Sequence, residues 1–109
     1  MTGNLITPKT KELILIYLAG RNEGYAREIA KYYNMSLSPV QNQLELLESS
    51  GIIYGKNAGK TIIYRFNQRY PYYKELIKFL EKVLLFLPEN EKEKLLMTRK
   101  RPRRKGKPI

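Results

Sequence analysis

Residues 25–66 read YAREIAKYYNMSLSPVQNQLELLESSGIIYGKNAGKTIIYRF. Ile29 and Tyr33 are four apart, so they share one face of a helix over Ala26–Tyr33. Ala30 is small where a second helix is to cross closely. Asn34 stands where the chain must turn with a positive φ, which asparagine tolerates better than most residues. Ser36 is placed to cap the next helix, with Ser38 as a second candidate, and Pro39 falls in that helix's first turn, where a missing N–H costs little. Val40, Leu44 and Leu47 recur at i, i+4 and i+7 and mark its buried face. Gly51 stops it. Ile52–Asn57 and Thr61–Asn67 then read as two strands joined by a hairpin turn at Ala58-Gly59. In the second strand Ile62, Tyr64 and Phe66 alternate with Ile63 and Arg65, and the even-numbered set is expected to face the core. Helix, four-residue turn, helix and hairpin in this order make a helix-turn-helix followed by a wing.

Working outward, Leu13–Ala19 form an apolar run that reads as a first helix. Thr7 or Thr10 is placed to cap it, Pro8 suits its first turn and Gly20 is expected to end it. Past the hairpin, Tyr70-Pro71 breaks the strand and opens a long helix over residues 71–87, which Pro88 ends. Leu76, Leu80, Val83 and Leu87 form one stripe along it, Tyr73, Ile77 and Leu84 an adjacent one, and Phe79, Leu85 and Phe86 add further apolar surface. Both terminal helices are more apolar than a single core face requires. The surplus points to a homodimer built on Leu13, Ile16 and Tyr17 of the first helix and Leu76, Leu80, Val83, Leu84 and Leu87 of the last. The expected fold class is α+β, mostly α: a winged helix-turn-helix with a two-stranded β wing and a C-terminal dimerisation helix. The expected domain spans residues 1–88, terminal dimerisation helices included. Residues 89–109 are expected to be a basic tail, disordered when free, with a short helix or frayed linker over residues 89–98.

Composition removes whole classes of function. Among 109 residues there is no cysteine, histidine, aspartate or tryptophan, and all 10 acidic side chains are glutamates. Disulfides, thiolate or imidazole metal ligands, Cys nucleophiles and His-based triads are therefore impossible. Glu, Ser and Tyr do not cluster in a way that suggests catalysis, so no enzyme activity, cofactor or metal is expected. The start lacks the basic-then-apolar order of a signal peptide, and no run approaches the roughly 18 apolar residues of a membrane span. A soluble, cytoplasmic protein with no membrane partner is expected. The net charge is +11 and uneven: residues 99–107 carry seven Lys/Arg and no acid, while the first 98 residues hold 14 basic and 10 acidic side chains. A mildly basic domain with a strongly basic tail suits a polyanion.

With Ser36 as cap, the segment SLSPVQNQLELLESSGII resembles the recognition helix of winged-helix repressors, and the ArsR-type family above all. The resemblance covers about residues 10–87 and rests on Ile29-Ala30, on Val40, Leu44 and Leu47, on Gly51-Ile52-Ile53, and on Gly59-Lys60 with Tyr64. It implies a homodimer formed by the first and last helices, binding an imperfect palindrome in promoter double-stranded DNA as a repressor. One departure is plain. Metal-sensing members carry Cys on the recognition side or His and Asp on the last helix, and this chain has none of these residue types. Metal sensing of those kinds is rejected.

The exposed start of the recognition helix offers Leu37, Ser38 and Pro39, then Gln41, Asn42 and Gln43. Glutamine and asparagine can pair bidentately with adenine N6 and N7 in the major groove. Gln43 has the alternative of turning toward the preceding helix, and all three amides could simply face solvent. Glu45 and Glu48 would repel phosphate, so that half of the helix is expected to point away from the duplex. Ser36 and Ser38 can donate to phosphate, in competition with capping. Arg27 and Lys31, on the first motif helix, suit the backbone. The wing brings Lys56, Asn57 and Lys60 around Gly59, with Arg65 on its outer face; charged wing edges also deter edge-to-edge pairing. The tyrosines could stack on single-stranded bases, although packing is the commoner use of such rings.

In the tail, Arg99, Lys100, Arg101, Arg103, Arg104, Lys105 and Lys107 are expected to contact phosphate. Arg104-Lys105-Gly106-Lys107-Pro108 resembles the core of an AT-hook, with lysines where arginines are usual. Three readings follow: a dimeric regulator that reads sequence, a non-specific or architectural nucleic-acid-binding protein dominated by the tail, and a protein-interaction scaffold.

Overall fold

The computed structural model describes the backbone of residues 2–96 and the side chains of residues 10–96. Its elements run α1 (Thr2–Arg21), α2 (Ala26–Tyr33), α3 (Leu37–Ser49), β1 (Ile53–Ala58), β2 (Thr61–Phe66) and α4 (Tyr73–Leu85). A further helical segment, α5, covers residues 89–96. The expected helix-turn-helix, wing and following helix are all present within a residue or two of their expected ends.

Local chemistry sets the ends of the motif helices. Asn34 takes the left-handed conformation at φ 58°, with its N–H donated to the Lys31 carbonyl and the Met35 N–H to that of Ala30. Gly51, at φ 82°, closes α3 in the same way: its N–H goes to Glu48 and the Ile52 N–H to Leu47. Each is a Schellman closure, which satisfies carbonyls the helix leaves open. Ser36 holds the N-cap position of α3, but its side chain makes no capping hydrogen bond. The expected cap therefore holds in backbone position only.

β1 and β2 pair antiparallel, with Ile53 opposite Phe66, Gly55 opposite Tyr64 and Asn57 opposite Ile62. Cross-strand partners share a face, so these six residues look toward α3. Ile53 and Tyr64 are buried, whereas Ile62 is 44% exposed. The expected core face is thus correct at the base of the wing and fails at its tip, which overhangs the helices. Gly24 adds an isolated bridge to the outer edge of β2, exchanging both backbone hydrogen bonds with Tyr64 at 2.8 and 3.1 Å.

The core gathers Ile14, Tyr17 and Leu18 of α1, Ile29 and Ala30 of α2, Val40, Leu44 and Leu47 of α3, and Ile53, Tyr64 and Leu95. Three expectations about the ends change. α1 starts at Thr2, ahead of both proposed caps, and runs through Gly20 to Arg21; Asn22, at φ 76°, turns the chain instead. The side chains of Thr7 and Pro8 lie outside the described residues. Gly20 stays helical, and α5 lies against it, with Leu95 Cδ1 3.4 Å from where a Cβ would stand. The packed body also extends past residue 88. The Pro88 carbonyl accepts the first bonds of α5, and Leu95, 2% exposed, enters the core. Arg21 fastens this segment. Its Nε donates to the Leu95 carbonyl at 3.0 Å, and its guanidinium lies over the Tyr17 and Tyr32 rings at 4.9 and 5.0 Å.

Tyr17, Tyr32 and Tyr33 form an edge-to-face cluster with centroids 4.8–6.2 Å apart. Burial pushes the Tyr17 and Tyr33 hydroxyls well above the ordinary phenol value. These rings are packing, and none of the three is presented for stacking on a base.

Candidate nucleic-acid interface

Helical geometry sorts the residues of α3. Val40, Leu44 and Leu47 are buried to 0–1% exposure, so at 100° per residue Ser38, Asn42 and Glu45 project on the opposite side. Gln41 lies on the flank toward the wing. Ser36, Ser38, Pro39, Gln41 and Asn42 are exposed, while Leu37 and Gln43 are half-buried.

Between this flank, the start of α2 and the wing lies a cleft of about 400 Å³. Gln41 and Glu45 form one wall, Arg27 and Tyr25 a second, and Lys60, Thr61 and Ile62 a third, with Leu37 and Tyr64 also lining it. Three segments separated in sequence thus bring two cations, a carboxylate, an amide and apolar surface to one opening. Lys56 and Asn57 are exposed further along the wing, and Lys31 is exposed on α2, one turn beyond Arg27. The free N–H groups of the first turn of α3 add partial positive charge. Burial first, then the nearby Glu48 and Glu45 carboxylates, push the Tyr64 hydroxyl above its ordinary value, so it stays a neutral donor.

The two glutamates of α3 do not behave alike. Glu48 turns to the wing, where its carboxylate accepts the Gly55 N–H at 3.2 Å. Glu45 lines the cleft, because residues four apart on a helix share a face and Gln41 is there. The wing wall is tightly built: a Cβ at Gly55 would stand 2.7 Å from Ile62 Cγ2 and 3.0 Å from Tyr64 Cε1.

Arg65 is differently placed from the other expected contacts. It pairs with Tyr54 on the outer face of the wing, and its guanidinium donates to Glu23 Oε1, with Nε at 2.9 Å. Its charge is paired with the Glu23 carboxylate, and it does not line the cleft. The partner Glu23 lies 42 residues away in sequence, beyond the reach of any local rule. The tail residues from Arg99 to Lys107 lie outside the described residues.

The proposed dimer set divides. Leu13, Ile16, Leu76, Val83, Leu84 and Leu87 are half-buried. Tyr17, at 0%, and Leu80, at 3%, are covered within the chain and offer no surface to a second copy. Tyr17 is enclosed by Tyr32, Tyr33 and Arg21. Along α4 and its two ends the most exposed large apolar side chains are instead Tyr72, Phe79, Leu85 and Phe86, at 63–83%. Tyr72, Phe79 and Phe86 are seven apart, a heptad spacing that was readable in the sequence.

Among the described residues no group of three or more His, Cys, Asp or Glu could hold a metal ion, and no helix is long and apolar enough to cross a membrane. The class of protein this arrangement defines is the winged helix-turn-helix. No protein-family model matches the chain, and no curated protein does. Among solved structures the chain is similar to ZitR of Lactococcus lactis, a double mutant in apo form, at 21% identity and a TM-score of 0.55, covering 84% of this chain and 77% of that one. It is similar also to AntR, an antimony-specific transcriptional repressor, at 22% identity and a TM-score of 0.56, covering 82% and 80%. At such identities the likeness carries the fold, and that fold is the one the ArsR-type resemblance implies.

Proposed function

We propose that the chain is a sequence-reading regulator of transcription that binds double-stranded DNA as a homodimer and represses in the cytoplasm, without catalysis and without a Cys/His metal sensor. One observation carries this reading: the exposed amides Gln41 and Asn42 stand on α3 beside a cleft rimmed by Arg27 and Lys60. Amides of this kind suit adenine edges, and flanking cations suit phosphate. Ser36, Leu37, Ser38 and Pro39 lie at the helix end that would enter the groove first, and Gln43 flanks it. Lys31, Lys56 and Asn57 would extend the backbone contacts. Arg65 would contribute less, since Glu23 already engages it. The second copy would cover Phe79, Leu85 and Phe86 along with Leu13, Ile16, Leu76, Val83, Leu84 and Leu87. Repression would be steric, with two half-sites about one helical turn apart occupied and polymerase excluded. AntR being a transcriptional repressor supports the same reading.

The test is selection from a pool of random duplexes with the full chain at about 150 mM salt. The expected product is an imperfect palindrome with half-site centres near ten base pairs apart. Retention with no motif, or with A·T bias alone, would overturn the regulator and favour the architectural reading. The seven cations of residues 99–107 keep that second reading in view.

The tail has its own expected result. If about five of its charges engage phosphates, deleting residues 99–109 flattens the salt dependence of binding by roughly four to five log units per decade and leaves the preferred sequence unchanged. Equal slopes for the two chains would remove Arg99, Lys100, Arg101, Arg103, Arg104, Lys105 and Lys107 from the interface.

A further inference from the structure

Glu45 lies one turn beyond Gln41 on α3, is exposed, and lines the same cleft. A carboxylate facing a surface that meets phosphate lowers affinity, so its presence there needs a compensating role. Glu48 has one in its bond to the wing. Glu45 makes no hydrogen bond or ion pair with the described residues, and although Arg27 and Lys60 share the cleft, neither closes to ion-pair distance. Its carboxylate is left at the cleft wall with no partner among the described residues.

We infer that Glu45 is a specificity-determining residue that takes the N4 amine of cytosine in the major groove, one or two base pairs from the position read by Gln41. The inference rests on the DNA-reading function proposed above. An ionised carboxylate can only accept. Cytosine presents an N4 donor in the major groove, whereas guanine presents N7 and O6, two acceptors that repel a carboxylate. Adenine offers its N6 donor beside an N7 acceptor, a pattern matched by the Gln41 amide and only half matched by Glu45. Four residues advance a helix by about 6 Å, which spans one to two base-pair steps. Two side chains on one face of α3, unlike in donor and acceptor character, would therefore read two different bases. Arg27 and Lys60 stand in the same cleft to offset the negative charge.

Pools of random duplexes are selected at one salt concentration with the full chain, with Glu45→Ala and with Glu45→Gln, and base frequencies are compared position by position. The parent chain is expected to favour cytosine over guanine about tenfold at one position of each half-site, within the range of a single side-chain–base pair. Glu45→Ala flattens that position and leaves the adenine read by Gln41 unchanged. Glu45→Gln moves it toward adenine. Both variants gain non-specific affinity equally from the lost charge, so only the positional change counts. Glu45 is exposed, and neither substitution touches the core. An identical profile for the parent and Glu45→Ala overturns the inference and leaves the regulator standing. A parent pool with no motif overturns both.

Discussion

The double variant Gln41→Ala, Asn42→Ala is expected to bind the selected operator about 30-fold more weakly than the parent chain, while its affinity for random duplex stays the same. Each amide can form two hydrogen bonds with an adenine edge, and each such pair contributes about 1–3 kcal/mol of discrimination. A combined loss of roughly 2 kcal/mol or more follows, even if one of the two pairs is poorly aligned. Random duplex is held through phosphate, by Arg27, Lys60 and the tail in the proposed interface, and none of those contacts is altered. Both side chains are exposed and off the buried stripe, so the folded state should be untouched. Titration of the two duplexes at fixed salt checks this. An equal drop on both would place the amides on the backbone, and no drop on either would leave α3 without a reading role.

Leu44→Ala is expected to lower the free energy of unfolding by about 2–5 kcal/mol. Leu44 is 0% exposed and stands at the centre of α3, which packs on α1, α2 and β1. Removing its side chain forfeits apolar burial and leaves a cavity between elements that cannot all close on it. Typical domains are stable by only 5–15 kcal/mol, so the loss reaches a large share of the total. Leu46→Ala is the matched control. Leu46 lies two residues on, at 58% exposure, and should cost at most a fraction of that. Urea midpoints measured at one protein concentration decide it, since a dimer's apparent stability depends on concentration. Similar midpoints for the two variants would mean that α3 is not seated on the core as described.

Features set within a single turn or hairpin were legible from the residues themselves. Asn34 and Gly51 close the motif helices because each tolerates the left-handed conformation that a Schellman closure demands. Val40, Leu44 and Leu47 face inward because their spacing matches the helical repeat. The wing pairs as it does because Gly59, at φ 70°, makes the tight turn. The absence of Cys, His and Asp excluded their chemistry before any fold was known. What depended on which distant surface arrives was not legible. Tyr17 looked like interface because its helix is apolar all round, but the rings of α2 and the Arg21 guanidinium enclose it. Residues 89–98 read as a short helix or a frayed linker, and the helix forms over residues 89–96, but its docking was not legible because a single buried leucine leaves no periodic signal; Leu95 packs against Gly20, far back in the chain. Ile62 alternates as a core residue but lies where the wing overhangs the helices. Arg65 reads as an unpaired cation on the outer face of the wing, and nothing local to it announces the ion pair with Glu23. The division between Glu45 and Glu48 has the same origin: three residues apart on one helix, they differ only in whether the wing's backbone comes within hydrogen-bonding reach, and that is decided by packing.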